Sequence, residues 1–170
     1  MSGFPLCPDC EAEYRDPADR RFHAEPVACA RCGPHLSFEL KEGEPIGDTD
    51  AALAKCVEAI RDGHIVAVKG IGGYHLICDA RDDQAVSRLR RRKRRPDKPL
   101  AVMFPVRGED GLAAIRDQVC LRKEEASLLA GPVRPIVLAT RRPGCALAGN
   151  IAPGLDEIGV FLPYSPLHQL

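Results

Sequence analysis

The sequence has no tryptophan, two methionines and only 5% aromatic residues among its 170 positions. So few rings disfavour a stacking surface for single-stranded nucleic acid. Excess charge is lacking too: 24 Lys and Arg balance 24 Asp and Glu. No apolar run approaches the ~20 residues of a membrane span, and Ile65–Val68 is only strand-sized. The start, Met1-Ser2-Gly3-Phe4-Pro5, lacks the charged beginning and apolar stretch of a signal peptide. These absences predict a cytoplasmic protein with no membrane partner. Eight cysteines in such a chain argue against a disulfide framework, because cytosolic thiols stay reduced.

Hydrophobic residues make up 45%, enough for a core, and the length allows one small module plus one larger domain. Residues 1–40 carry Cys, Pro, Gly and charge with little periodicity. Residues 41–47, Lys-Glu-Gly-Glu-Pro-Ile-Gly, read as a linker. From Asp48 the texture changes. Thr49 or Asp50 can cap a helix with apolar positions Leu53, Val57 and Ile60, stopped by Gly63. Ile65–Val68 reads as a strand covered on both faces. The turn Gly70-Ile71-Gly72-Gly73 leads to a second strand, Tyr74–Cys78. Asp82 or Asp83 caps a helix to about Arg95, ended by Pro96. Strands are expected at 100–104, 135–139 and 158–162, with short helices around 111–116 and 121–129. Strands mixed with short helices indicate an α/β or α+β domain over 48–170.

Cys7-x2-Cys10 and Cys29-x2-Cys32 stand 18 residues apart, the spacing of a zinc ribbon. A tight Cys-x2-Cys turn offers two thiolates to one tetrahedral ion, and Gly33 suits the sharp turn after Cys32. Structural zinc could supply roughly 10–16 kcal/mol of apparent folding free energy to a segment without a core. Four thiolates leave no open position for catalysis. A redox Cys-x-x-Cys is the competing reading, and His23 or His35 replacing one cysteine is another. Cys56, Cys78, Cys120 and Cys145 read as core thiols, and His64 and His168 as surface residues.

Residues 88–98 hold eight cations: Arg88, Arg90, Arg91, Arg92, Lys93, Arg94, Arg95 and Lys98. One reading is a solvated face. The other starts from Val86 and Leu89, an apolar stripe that Lys93 continues at helical spacing, which aims a lysine at the edge of the core. Arg95 and Lys98 flank Pro96 at a helix–strand junction, where cations can hold phosphate. Lys69 adjoins glycines that permit close approach of a ligand. The turn has neither Walker A nor dinucleotide spacing. Together the two segments predict a two-sided anion site.

Several stretches resemble the HypF hydrogenase-maturation carbamoyltransferases. Cys7-Pro8-Asp9-Cys10 through Cys29-x2-Cys32-Gly33-Pro34 is similar to their second zinc finger. Ala67-Val68-Lys69-Gly70-Ile71-Gly72-Gly73-Tyr74-His75-Leu76 is similar to the opening of their YrdC-like domain. So are the segments from Leu89 to Met103 and from Ile158 to His168. The resemblance implies a small four-cysteine zinc module followed by an incomplete, C-terminally truncated YrdC-like twisted-sheet domain. It implies structural zinc on Cys7, Cys10, Cys29 and Cys32. It also implies ATP and carbamoyl phosphate as substrates, with magnesium, held by Lys69, Gly72, Gly73, His75, Lys93, Arg95 and Lys98. The product would be a carbamoyl adenylate, whose carbamoyl group goes to a HypE-type partner and becomes a cyanide ligand of nickel–iron hydrogenase. The acylphosphatase-like domain, the first finger, the transfer domain and the Ser-x-Asn segment of such enzymes have no counterpart here, so the isolated chain is expected to be inactive. Individual catalytic roles stay open. Two alternatives remain: a zinc-ribbon module that binds double-stranded RNA through its basic helix, and a relative of free-standing YrdC proteins that make threonylcarbamoyl adenylate.

Overall fold

The computed structural model describes residues 5–70 and 72–170. Ile71 of the glycine turn and the first four residues, on which the leader-peptide reading rested, lie outside the described residues. The chain divides into two compact units, Met1–Lys55 and Cys56–Leu170.

In the first unit, helix α1 (Pro8–Arg15) rises directly from the first knuckle. Pro8 starts it, since a proline at the first helical position loses no hydrogen bond. Cys7 occupies the N-cap. The buried cluster around the sulfurs is small: Cys7, Cys10 and Val27, with Leu6, Tyr14 and Ala24 packed against them. The expected linker is not free chain. Ile46 and Phe38 exchange both backbone hydrogen bonds at 2.9 Å, and Thr49 Oγ1 accepts from the Leu36 amide at 3.2 Å.

Helix α2 (Thr49–Arg61) leads into the second unit. Its cap is Asp48, whose carboxylate accepts from the Ala51 amide at 2.8 Å, not Thr49 or Asp50. Gly63 ends it in the left-handed region at φ +78°. The His64 amide reaches back to Ala59 and that of Gly63 to Ile60, the paired bonds of a Schellman stop.

The main sheet is four-stranded, in the order β3 (Val102–Met103), β6 (Glu157–Phe161), β5 (Val137–Arg141), β4 (Val119–Cys120). Strand β3 runs parallel to β6; the other pairs are antiparallel. Alternation along β5 and β6 sends Val137, Ala139, Ile158 and Val160 to one face. That face is covered by α3 (Asp83–Lys93), α4 (Ala113–Arg116) and α5 (Lys123–Ala130) through Val86, Ile115 and Leu129, which join one buried cluster. The opposite face leaves Ile136 and Leu138 exposed.

Strands β1 (Val66–Gly70) and β2 (Gly73–Ile77) form a separate antiparallel hairpin. The expectation of a strand covered on both faces is therefore corrected. Ala67 and Lys69 are exposed while Val66 and Val68 are half-buried. A four-residue apolar run fits a strand covered on one side as well as one covered on both, because alanine tolerates either.

Asp82 caps α3, accepting from Gln84 at 2.8 Å and Ala85 at 3.1 Å. The helix stops at Lys93, two residues short of the expected end. Its buried residues are Ala85, Val86, Leu89 and Arg90. Arg90, at +4 from Val86, therefore takes the place expected for Lys93, which is exposed. The Arg90 guanidinium faces backbone alone. It donates to the carbonyls of Asn150 and Ile151 at 2.5 and 2.8 Å, and to those of Arg95, Pro96 and Lys98 at 2.9, 3.0 and 3.2 Å. Burial, and next the charge of Arg95, push its pKa down. Arg90→Ala strands these carbonyls and is expected to cost on the order of 3 kcal/mol, read as a lower denaturation midpoint. Arg90→Lys keeps a charge but not the fork, and recovers only part of the loss.

Candidate functional site

The four sulfurs of Cys7, Cys10, Cys29 and Cys32 all lie within 4.8 Å of one another. Cys7 and Cys29 stand 3.6 Å apart, and Cys29 and Cys32 3.9 Å. Tetrahedral zinc with Zn–S near 2.3 Å sets sulfurs about 3.8 Å apart, so the donor set fits. Gly33 is forced by crowding: a Cβ there would lie 2.7 Å from the Cys29 carbonyl oxygen, to which the Gly33 amide donates at 2.7 Å. The Cys10 backbone N–H and then the Arg31 side chain pull the Cys7 thiol down to about 6. Burial, and then the neighbouring sulfurs, push Cys10 up to about 12. Four thiolates at this spacing need a cation to offset their repulsion. His23 is not a ligand; its ring stacks between Tyr14 and Phe22, with centroids at 5.0 and 4.1 Å. His35 is exposed, and the cluster contains neither histidine.

The remaining thiols only partly follow expectation. Cys78 and Cys145 pack against the main core, and Cys56 is half-buried. Cys120 is exposed and corrects the core reading. Strand β4 is two residues long, and alternation that buries Val119 turns its neighbour outward.

The basic junction is built on Arg90. Its own carbonyl accepts from the Arg94 and Arg95 amides, and its guanidinium holds the loop through Lys98. Arg95 then donates to the carbonyls of Lys98 at 3.2 Å and Pro99 at 2.6 Å. Lys93 and Lys98 are exposed. Among the described residues, no carboxylate forms an ion pair with either.

The hairpin divides its own residues. Lys69 pairs with Tyr74 in register, and both are exposed. His75 pairs with Val68, and both are half-buried. Lys69 and His75 therefore occupy opposite faces. Gly72 and Gly73 adopt φ of +84° and +156°. Gly70 lies against the His75 ring, where an added Cβ would meet it at 3.4 Å. Among the described residues, no hydrogen bond or ion pair joins this turn to the basic junction.

His75 has partners that the sequence analysis did not give it. Its ring stacks on His168 at 5.5 Å, and Tyr164 meets His168 edge-on at 4.5 Å. Helix α6 (Pro166–Gln169) carries His168, and Ser165 caps it. The surface reading of His168 is corrected: it is half-buried, and its Nδ1 is buried with no hydrogen-bond partner. The Ser165-Pro166 helix start was the available signal; the fold alone brings the helix to β2.

Residues 58–170, two-thirds of the chain, match the profile of the Sua5–YciO–YrdC family, described as telomere recombination. The chain belongs to this family. Residues 6–39 match the HypF finger, which stands ahead of the YrdC-like part. The carbamoyltransferase HypF of Rhodobacter capsulatus is 49% identical over the whole chain, which covers 22% of that relative. A crystal structure of full-length HypF in the phosphate- and nucleotide-bound form is 46% identical, with a TM-score of 0.81 over 99% of this chain and 21% of its own. A doubly substituted variant of P. abyssi Sua5 aligns with 71% of the chain and 34% of its own at 25% identity and a TM-score of 0.58. The chain thus spans about a fifth of the HypF proteins named here. It corresponds to one region of a HypF carbamoyltransferase: a four-cysteine finger followed by a YrdC-like mixed α/β portion.

Two expectations follow. The purified chain holds one zinc ion, counted by elemental analysis. Cys10→Ser abolishes it and unfolds residues 6–39, whereas His23→Ala and His35→Ala retain it. Burial, and then the electrostatic effect of the neighbouring His75, hold the His168 pKa below its ordinary 6.5. A histidine kept neutral in the fold stabilises it above 6.5 and loses that contribution as pH falls. Proton NMR should show the His168 ring titrating below 6.5, and moving upward in His75→Phe.

Proposed function

We propose that this chain is the part of a carbamoyltransferase that activates carbamoyl phosphate with ATP. On this reading water attacks carbamoyl phosphate and releases phosphate and carbamate, a carbamate oxygen then bonds to the α-phosphorus of ATP, and pyrophosphate departs. The carbamoyl adenylate so formed serves a HypE-type partner and, through it, the cyanide ligand of a nickel–iron hydrogenase. The observation that carries the reading is the match of 99% of this chain to a part of HypF, a protein solved with phosphate and nucleotide bound. Reduced thiols in the finger suit a cytoplasmic setting. Among the described residues no helix is long and apolar enough to cross a membrane.

We assign the phosphates to Lys93, Arg95 and Lys98. Adenylation brings several anionic oxygens together, and fixed cations offset their repulsion. Lys93, the last residue of α3, and Lys98, on the loop that Arg90 holds in shape, are exposed, so they are available to a ligand. Lys69 and the Gly72–Gly73 backbone would approach from the hairpin. His75 would act from the hairpin's other face, with His168 behind it. Magnesium bound with ATP would lower the charge these lysines must meet.

Calorimetric titration of the zinc-loaded chain with ATP, then carbamoyl phosphate, tests the reading. Saturable ATP binding is expected, weakened about tenfold or more in Lys93→Ala and in Lys98→Ala, as befits loss of a charge-assisted contact. If ATP binds and both variants match the parent, the site assignment is wrong. If ATP does not bind but double-stranded RNA does, with affinity falling steeply as salt rises, the chain is a nucleic-acid module instead.

A further inference from the structure

Zinc on four thiolates keeps a double negative charge, and that charge has to be met from outside the donor set. Arg31 lies inside the second knuckle, between Cys29 and Cys32. Its backbone N–H donates to Cys29 Sγ at 3.4 Å. Its side chain hydrogen-bonds the sulfur of Cys7, which belongs to the first knuckle. The Cys7 and Cys29 sulfurs are 3.6 Å apart, a separation at which two thiolates repel strongly. One residue thus touches both members of that pair, one through its backbone and the other through its guanidinium.

Two details give the guanidinium a purpose. The first is Asp9, in the turn between Cys7 and Cys10, whose carboxylate accepts from Arg31 Nη2 at 2.7 Å. Both side chains of this pair are largely exposed, at 62% and 79%. Such a pair contributes little to stability on its own. A carboxylate beside four thiolates is unfavourable unless it holds a cation over them. The second is the open side of the cluster, where Arg31, Cys7 and Cys32 together line a concavity of about 510 Å³. A charge there meets water or Arg31, not packed apolar side chains. Arg21 is another guanidinium near the sulfurs. It is committed elsewhere, to Glu13 at 2.5 Å and the Ala28 carbonyl at 3.5 Å.

We propose that Arg31 is a positioning residue of the zinc site. It ties the second knuckle to the first across the Cys7–Cys29 pair, and its charge offsets part of what the metal leaves over. The two thiolates it contacts repel each other less, both as the ion enters and once it is bound. Asp9 serves this role by fixing the direction of the fork. The assignment concerns metal retention alone and does not rest on the carbamoyltransferase reading.

The test is a zinc competition between the full chain and a chromophoric chelator, run at low and at high salt. Arg31→Ala should weaken zinc binding about tenfold or more, the scale of losing a partner just outside the donor set. The gap from the parent should narrow at high salt, because an exposed charge is screened. Arg31→Lys keeps the charge without the fork and should recover part of the affinity. The Arg31 side chain is largely exposed, so its loss opens no cavity. At saturating zinc the Arg31→Ala chain should match the parent in far-ultraviolet circular dichroism, which separates weaker metal binding from failure to fold. Parent-like zinc affinity in Arg31→Ala overturns the proposal. A loss that is the same at both salts, or that Arg31→Lys does not reduce, overturns it too, since Arg31 would then only shape its turn.

Discussion

A guanidinium taken out of water must find acceptors for its fork, and Arg90 finds them all in backbone. Carbonyls from the loop after α3 and from the turn at 149–151 converge on it. Carbonyl dipoles neutralise the charge only in part, and the fork demands their direction. A loop crowded with arginine and lysine would otherwise splay under its own repulsion. Held from within, it keeps a fixed path and presents its remaining cations outward. The positions of Arg95 and Lys98 depend on that clamp.

The two units are stabilised by different physics. The second closes a core of sixteen buried residues over one face of a four-stranded sheet. Among its described residues the first buries Cys7, Cys10, Val27 and Ala52, too little apolar surface to offset the chain entropy of its fifty-odd residues. Its stability must come from the sulfur cluster, and zinc binding of the expected strength is ample. Chelation should therefore dismantle one unit and leave the other's core unaffected.

The features legible in the sequence were those set by local chemistry. Cysteine spacing located the sulfur cluster, Asp82 capped α3, and Gly63 ended α2. Strands 137–141 and 157–161 lie close to where apolar runs placed them. What was missed depends on geometry across the fold. Lys93 and Arg90 both lie near the stripe of Val86 and Leu89. Only the carbonyls brought in from residues 150 and 151 decide that Arg90 is the one buried. Helix α1 is masked by its polar composition, since the finger's sulfurs rather than an apolar face hold it. The His75–His168 stack joins residues 93 positions apart, which no local pattern can reveal. The separation of Lys69 from His75 follows from strand alternation, and was readable once the hairpin register was known.

The place of β6 in the sheet sets the order in which the molecule can be made. It lies between β3 and β5, and its Ile158 and Val160 are wholly buried. Val102 therefore waits for Val160, nearly sixty residues later, before its strand has a neighbour. Until residues 157–161 leave the ribosome, α3, α4 and α5 have no completed sheet to cover. Non-local pairing of this kind makes folding slow. The finger faces no such delay, because its last sulfur is at residue 32 and metal can close it at once. Synthesis thus produces a finished finger trailed by an unfinished, apolar chain, and that interval is when the nascent protein is most exposed to misassociation.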